Sequence, residues 1–208
     1  MTFQTTPIEL NNEITQKMDA TNRQALYASW LDTKLGSMLA IASDSALYLL
    51  EFHDRSGLER GVEGLRIKTE AAIIPVSNPI INLVKEELSQ YFKGNLDRFT
   101  TPVTLFGTDF QKRVWNALQC IPVGETRSYL DIAKAIGNPK ACRAVAQANG
   151  ANQLAIIIPC HRVINEDGKL GGYGGGIPRK DWLLKHERAF IKKVKNGIDG
   201  KKTMPFLK

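Results

Sequence analysis

Ala155-Ile156-Ile157-Ile158-Pro159-Cys160-His161-Arg162-Val163-Ile164 is the stretch from which the rest of the chain is best read. Its opening is apolar and mostly β-branched, a composition that favours a buried extended segment. Pro159 has no N–H to give a sheet ladder, so the strand expected here ends at it. The run delivers Cys160 to the end of that strand, with His161 next. A thiol attacks as thiolate, and a free cysteine with a pKa of about 8.5 is mostly protonated at neutral pH. An adjacent imidazole, itself oriented by a third group, is the usual remedy. Free cysteine is also among the most buried residue types. From this stretch alone, a packed core thiol and an activated nucleophile are both open.

Composition narrows the setting. The 208 residues are enough for one large domain or two small ones, and 43% hydrophobic with 24% charged residues is ordinary for a globular protein. No apolar run reaches the ~18 residues of a membrane span. The polar N-terminus lacks the apolar segment of a secretory leader. Three cysteines, at 120, 142 and 160, are odd in number and lack CxxC spacing. They argue against a disulfide framework or structural zinc and fit a reducing, intracellular compartment. Charge is uneven. Residues 1–104 hold 10 Lys+Arg against 13 Asp+Glu, net −3, and residues 105–208 hold 18 against 8, net +10. A basic second half suits a polyanion such as nucleic acid, or is a solvated surface with a lysine-rich tail.

In chain order, residues 1–22 read as a polar lead-in. Leu26–Leu31, Ser37–Ala42 and Ala46–Phe52 read as three strands separated by turn residues, an antiparallel meander. Residues 54–70 suggest a short helix broken by Gly57, Gly61 and Gly64. Asn78-Pro79 is a helix start, Ile80 to Phe92 repeat at helical spacing, and Gly94 ends the helix. No chemistry stands out in this half, which reads as a scaffold over 23–104.

A second domain is expected over 105–190. Thr108 and Gln111 have capping-box spacing ahead of a helix carrying Val114, Trp115 and Leu118. Two short helices follow, one with Ser128 as N-cap and Tyr129 in its first turn, the other expected to be capped by Asn138-Pro139 and to carry Arg143. A tight turn at Gly137 joins them, a helix-turn-helix pattern that an ordinary packed hairpin also satisfies. After the cysteine, the glycine-rich Gly168–Gly176 is either a pocket wall or a plain connector. In the last helix Leu183, Leu184 and Glu187 share a face. A half-buried Glu187 needs a partner, and His161 or, at the surface, Arg179 or Lys180 are the candidates. His186 is expected at the surface, and residues 191–208 as a disordered basic tail.

At this point a family comes into view. Ile158-Pro159-Cys160-His161-Arg162-Val163 resembles the active-site signature of the O6-alkylguanine-DNA alkyltransferases, or methylated-DNA–protein-cysteine methyltransferases. Gly124–Tyr129, Gly137–Val145, Asn152, Gly171–Gly176 and Trp182–Glu187 are similar to further family blocks in the same order. The likeness is strong over 105–188 and architectural only before that. It implies an α+β fold: a small N-terminal ribonuclease-H-like α/β domain with an antiparallel sheet, then a mainly helical, winged-helix-like domain.

The resemblance also implies roles. Cys160 matches the nucleophile that accepts the alkyl group, His161 the base that deprotonates it through a water, and Glu187 the carboxylate that orients the base. Asn152 matches the asparagine that organises the turn near the thiol. Tyr129 matches a tyrosine that crowds the target phosphate and hydrogen-bonds the flipped base, and Arg143 the finger that replaces the base in the stack. The carbonyls of Cys160 and Val163 match acceptors for the guanine amine, and Tyr173 and Gly174 lie where the pocket loop closes. Ser128 and Asn138 fall in blocks placed with the DNA-binding set. The implied partner is double-stranded DNA carrying O6-alkylguanine, met by a cytoplasmic or nuclear monomer without membrane attachment. No metal or organic cofactor is implied. The implied activity is single-turnover repair of O6-methylguanine, and of O4-methylthymine, after base flipping; the alternative is a non-catalytic module that binds alkylated DNA.

Overall fold

The structure is a computed structural model that describes residues 25–199. The expected lead-in over 1–22 and residues 200–208 of the tail lie outside the described residues. Contacts divide the chain into two compact units: residues up to Leu88 with Thr100–Phe106, and Ser89–Phe99 with Gly107 onward. The fold class is α+β.

In the first unit β1 (Ala25–Thr33), β2 (Gly36–Ala42) and β3 (Leu47–Phe52) form the antiparallel meander, with Trp30 opposite Leu39 and Ala40 opposite Leu50. A fourth strand, β4 (Ala72–Ile74), joins β1 in parallel and completes the order β3-β2-β1-β4. A parallel neighbour needs a crossover, and α1 (Leu58–Thr69) supplies it. Gly61 and Gly64 do not break α1 as expected. Each interior glycine costs about 1 kcal/mol of helix propensity. Leu58 and Leu65, both buried, seat the helix on a core with Leu26, Leu39, Ile41 and Ile73 and offset that cost.

Helix α2 (Pro79–Lys93) starts and stops where the sequence places it. Asn78 Oδ1 accepts from the Ile81 N–H at 2.9 Å, Pro79 takes the first position, and Gly94 closes the helix with φ +71. The division between units falls inside α2, so its last turn packs in the second unit.

Glu87 anchors the connector to α2 in the first unit. Its carboxylate is 7% exposed and accepts from the backbone N–H and the hydroxyl of both Thr100 and Thr101. Burial works against the charge, but the four donors outweigh it and hold the carboxyl below its ordinary value. A depressed carboxyl stabilises the fold above its unfolded pKa and loses that contribution as pH falls through the folded value. Glu87→Gln is expected to cost about 1–3 kcal/mol at pH 7. In thermal melts the gap to the parent should narrow below about pH 4.

In the second unit α3 (Asp109–Gln119) begins with a full capping box between Thr108 and Gln111, and α4 (Tyr129–Ala135) with another between Ser128 and Asp131. Helix α5 (Cys142–Gly150) starts later than the sequence suggests, with Ala141 at the cap position. Asn138 is not its cap because it is used to end α4: its N–H bonds the Ala133 carbonyl at 2.9 Å and Gly137 N–H the Lys134 carbonyl at 2.9 Å, with Gly137 left-handed at φ +74. That is a Schellman ending. Helix α6 (Ile177–Asp199) is long and continues through residues 191–199, which were expected to be disordered.

The strand expected before the cysteine does not form. Ala155–Pro159 folds into successive turns, Cys160–Arg162 is a single 3-10 turn, and extended backbone returns only at β6 (Val163–Ile164). Ile157 N–H bonds Ala155 O and Ile158 N–H bonds Leu154 O, both at 2.9 Å, and Ile156 takes φ +72. A left-handed β-branched residue costs on the order of 1–3 kcal/mol and persists only where its surroundings dictate it. Here Asn152 dictates it, as described next. β6 pairs in parallel with β5 (Arg127–Ser128), which fixes the start of α4 beside the cysteine turn.

Candidate active site

The site lies wholly in the second unit, at the turn Cys160–Arg162. Asn152 is 3% exposed and gathers that turn. Its Nδ2 donates to Ile158 O at 2.9 Å, to Leu154 O at 3.4 Å and to Cys160 Sγ at 3.2 Å, while Oδ1 accepts from Leu154 N–H at 3.0 Å. One side chain thus bends the apolar run into turns and presents an N–H to the sulfur, a contact that favours thiolate. Asn149, from α5, donates to the Cys160 carbonyl at 3.3 Å.

His161 has 0% exposure, and its Nε2 lies 2.9 Å from Glu187 Oε1. An ionised carboxylate only accepts, so Nε2 carries the hydrogen. Nδ1 is then the lone-pair nitrogen, and it has no hydrogen-bond partner among the described residues. Burial lowers the imidazole's pKa, against the pull of Glu187, so the ring is neutral and able to take a proton.

Glu187 is 1% exposed and accepts five hydrogen bonds: from His161, from Arg162 through Nε and Nη2 at 2.9 Å each, from Tyr91 OH at 2.8 Å and from Gly124 N–H at 3.2 Å. Burial opposes its charge, but these donors outweigh burial and hold the carboxyl well below the usual range. Arg162, permanently charged and bidentate, is the counter-ion. It is anchored by Nη1 to the Ile121 carbonyl at 2.6 Å.

Two further groups feel the sulfur. Burial raises the Tyr129 phenol, and Cys160 raises it further. Lys180 is 0% exposed; burial lowers its ammonium to about 8, and Cys160 works against that lowering. Tyr173 stands edge-on to His161, with centroids 6.4 Å apart.

The structure therefore brings Cys160, His161, Glu187, Asn152, Tyr129, Val163 and Tyr173 to one place. Gly174 is exposed on the loop, and Arg143 and Asn138 are exposed along α5 and the turn before it. The Ser128 hydroxyl is used within its capping box. His186, expected at the surface, is half-buried: it stacks on Trp182 at 4.7 Å, and its Nε2 donates to the Tyr91 carbonyl at 2.7 Å. Arg162, Tyr91 and Asn149 were not singled out from sequence as site residues, and Lys180 was named only as a surface partner for Glu187, whereas it is buried. Lys180 did carry a signal, since it precedes Leu183, Leu184 and Glu187 at helical spacing on the same inward face. It does not pair with Glu187 but turns to backbone carbonyls. Among the described residues, no group of three His, Cys, Asp or Glu is placed to hold a metal ion, and no helix is long and apolar enough to cross a membrane.

Fold and site together define an α+β protein built around one buried cysteine next to a histidine–carboxylate pair, in a unit whose two short helices leave Arg143 exposed. Residues 109–189 match the family described as 6-O-methylguanine DNA methyltransferase, DNA binding domain. A methylated-DNA–protein-cysteine methyltransferase of Mycolicibacterium paratuberculosis is 58% identical over 103 residues, 50% of this chain and 62% of that relative, so this match spans less than two thirds of it. One from Methanosarcina barkeri is 41% identical over 168 residues, 78% of this chain and 97% of the relative. Among solved structures, Mycobacterium tuberculosis OGT in complex with DNA is 41% identical, with a TM-score of 0.68 over 79% of this chain and 94% of that one. The chain belongs to the methylated-DNA–protein-cysteine methyltransferase family.

Proposed function

We propose that the chain repairs DNA by direct reversal, taking the methyl group of O6-methylguanine, and less readily of O4-methylthymine, once and irreversibly onto Cys160. The observation that carries this is His161, whose Nε2 is committed to Glu187 while Nδ1 keeps its lone pair one residue from the thiol.

The thiol proton passes through a water to His161 Nδ1, and Glu187, kept ionised by Arg162, steadies the resulting imidazolium. The Asn152 N–H and the nearby Lys180 ammonium favour the thiolate. The sulfur lone pair forms the S–CH3 bond as the C–O6 bond breaks. The released electron pair returns to the guanine ring, which takes one proton from the Tyr129 hydroxyl, and the proton held on His161 passes back through water to restore the phenol. The thioether product leaves no thiolate, so each chain reacts once.

The target carbon lies inside the duplex, so the nucleotide must be extruded at a cost of a few kcal/mol. Arg143, exposed on α5, fills the gap in the stack, and the small alanines around it permit close approach to the minor groove. Ser128 and Asn138 flank the DNA backbone, and the basic second half adds salt-sensitive affinity. The carbonyls of Cys160 and Val163 accept from the guanine amine, with Tyr173 and Gly174 closing the pocket. The chain acts as a monomer within a reducing, intracellular compartment.

The test is a titration with duplex carrying labelled O6-methylguanine. One methyl per chain, on the peptide containing Cys160, is expected. Continued removal after one molar equivalent, or label on another residue, refutes the proposal.

A further inference from the structure

The most unusual buried group in the second unit is Lys180. It stands in the first turn of α6 with no solvent exposure, and among the described residues no carboxylate lies within ion-pair distance of it. An ammonium taken out of water costs several kcal/mol unless its hydrogens are matched. Its three donors are matched by three backbone carbonyls: Val163 at 2.5 Å, Gly171 at 3.3 Å and Gly172 at 3.4 Å. A leucine or methionine would fill the same space without the desolvation cost, so the ammonium calls for a role in what it holds.

What it holds is specific. Val163 directly follows the Cys160–Arg162 turn, and Gly171 and Gly172 belong to the glycine-rich loop. Gly171 lies so close to Tyr129 that a Cβ there would sit 2.8 Å from the phenol oxygen. Lys180 therefore ties together three parts of the site: the chain leaving the cysteine turn, the loop, and through the loop the position of Tyr129. The carbonyl of Cys160 is held separately, by Asn149. A carbonyl oxygen has two lone pairs, so Val163 can accept from Lys180 and still accept from a ligand, in a direction the lysine sets.

We infer, resting on the proposed reading of the Val163 and Cys160 carbonyls as acceptors for the guanine amine, that Lys180 is a specificity-positioning residue which aims the Val163 carbonyl and the Gly171–Gly172 loop at that amine. Lys180 does not touch the reacting atoms. Its removal slows transfer, but the distinguishing effect is on which bases are accepted. A base with the same methyl ether and no exocyclic amine, O6-methylhypoxanthine, forgoes the aimed contact and depends less on the lysine.

The experiment compares single-turnover rate constants for duplexes carrying O6-methylguanine or O6-methylhypoxanthine. The parent chain should favour the guanine lesion about tenfold, the worth of one well-aimed hydrogen bond. Lys180→Met should lower that ratio about threefold or more, toward what the separately held Cys160 carbonyl retains. Lys180→Gln, which keeps a donating NH2, should give an intermediate ratio and serves as the deciding variant if the methionine chain melts below the assay temperature. A variant that reacts more slowly with both lesions but keeps the parent ratio overturns the inference and leaves Lys180 a structural pin. A parent chain that repairs both lesions equally refutes the carbonyl reading itself, whatever Lys180 does. No transfer from either lesion refutes the proposed activity.

Discussion

A Cys160→Ser chain, mixed with duplex carrying O6-methylguanine, leaves the methyl on the base yet binds the duplex as the parent does. The transfer rate should fall by at least ~10^3-fold, because a serine hydroxyl stays protonated where a thiol ionises and is the weaker nucleophile. Binding should survive because Arg143 and Asn138 are exposed side chains on α5 and its preceding turn, whereas the sulfur is buried. The fold should survive too, since a serine oxygen can accept the Asn152 N–H that the sulfur accepts now. Intact-mass measurement reads transfer, and a gel-shift titration reads binding. Transfer at the parent rate would locate the chemistry elsewhere. Loss of binding in a chain that still melts cooperatively would make the cysteine part of the DNA-contacting surface.

The second large effect is on stability. Glu187→Ala removes the acceptor of five hydrogen bonds and leaves the Arg162 guanidinium buried without its counter-ion. Breaking one side of a buried pair typically costs about 3–5 kcal/mol. At about 2–4 °C per kcal/mol for a chain of this size, the melting temperature should fall by roughly 6–20 °C. The pH dependence follows from the same groups. Glu187 has a folded pKa below its ordinary value, so its contribution is complete above the unfolded carboxyl pKa and is lost as pH falls through the folded one. His161 acts in the same direction: buried and neutral, it takes up no proton where the unfolded chain does, below about pH 6.5. The parent should therefore lose stability progressively on acidification, and Glu187→Ala should show a shallower loss. Calorimetric melts from about pH 2.5 to pH 8 check both, the Glu187→Ala difference being read below the unfolded carboxyl pKa of about 4.3. A melting point within 2 °C of the parent would mean that Arg162 finds another partner.

Much of the architecture was legible because local chemistry decides it. Thr108, Ser128 and Asn78-Pro79 start helices by satisfying backbone donors within three residues, and such signals need nothing distant. The meander was legible for the same reason. β4 was not, because three residues carry no periodicity and its pairing with β1 spans the whole of α1. The run before Cys160 misled because its β-branched composition favours a strand, while the Asn152 amide supplies competing hydrogen bonds. Within the site, Cys160, His161 and Glu187 were legible as types able to do the chemistry. Tyr91 was not, since its hydroxyl reaches Glu187 across 96 residues of chain.

That long reach limits how the molecule can be cut. Tyr91 sits in the last turn of α2, a helix whose earlier turns belong to the sheet-bearing unit. A fragment beginning at the loop near residue 105 keeps the sulfur, the imidazole and the carboxylate, and passes every inspection for its signature motif. It has nonetheless shed a phenol from around the buried anion. Minimal versions of this protein, if wanted as tools, should start upstream of Asn78, so that the whole of that helix travels with the chemistry it serves.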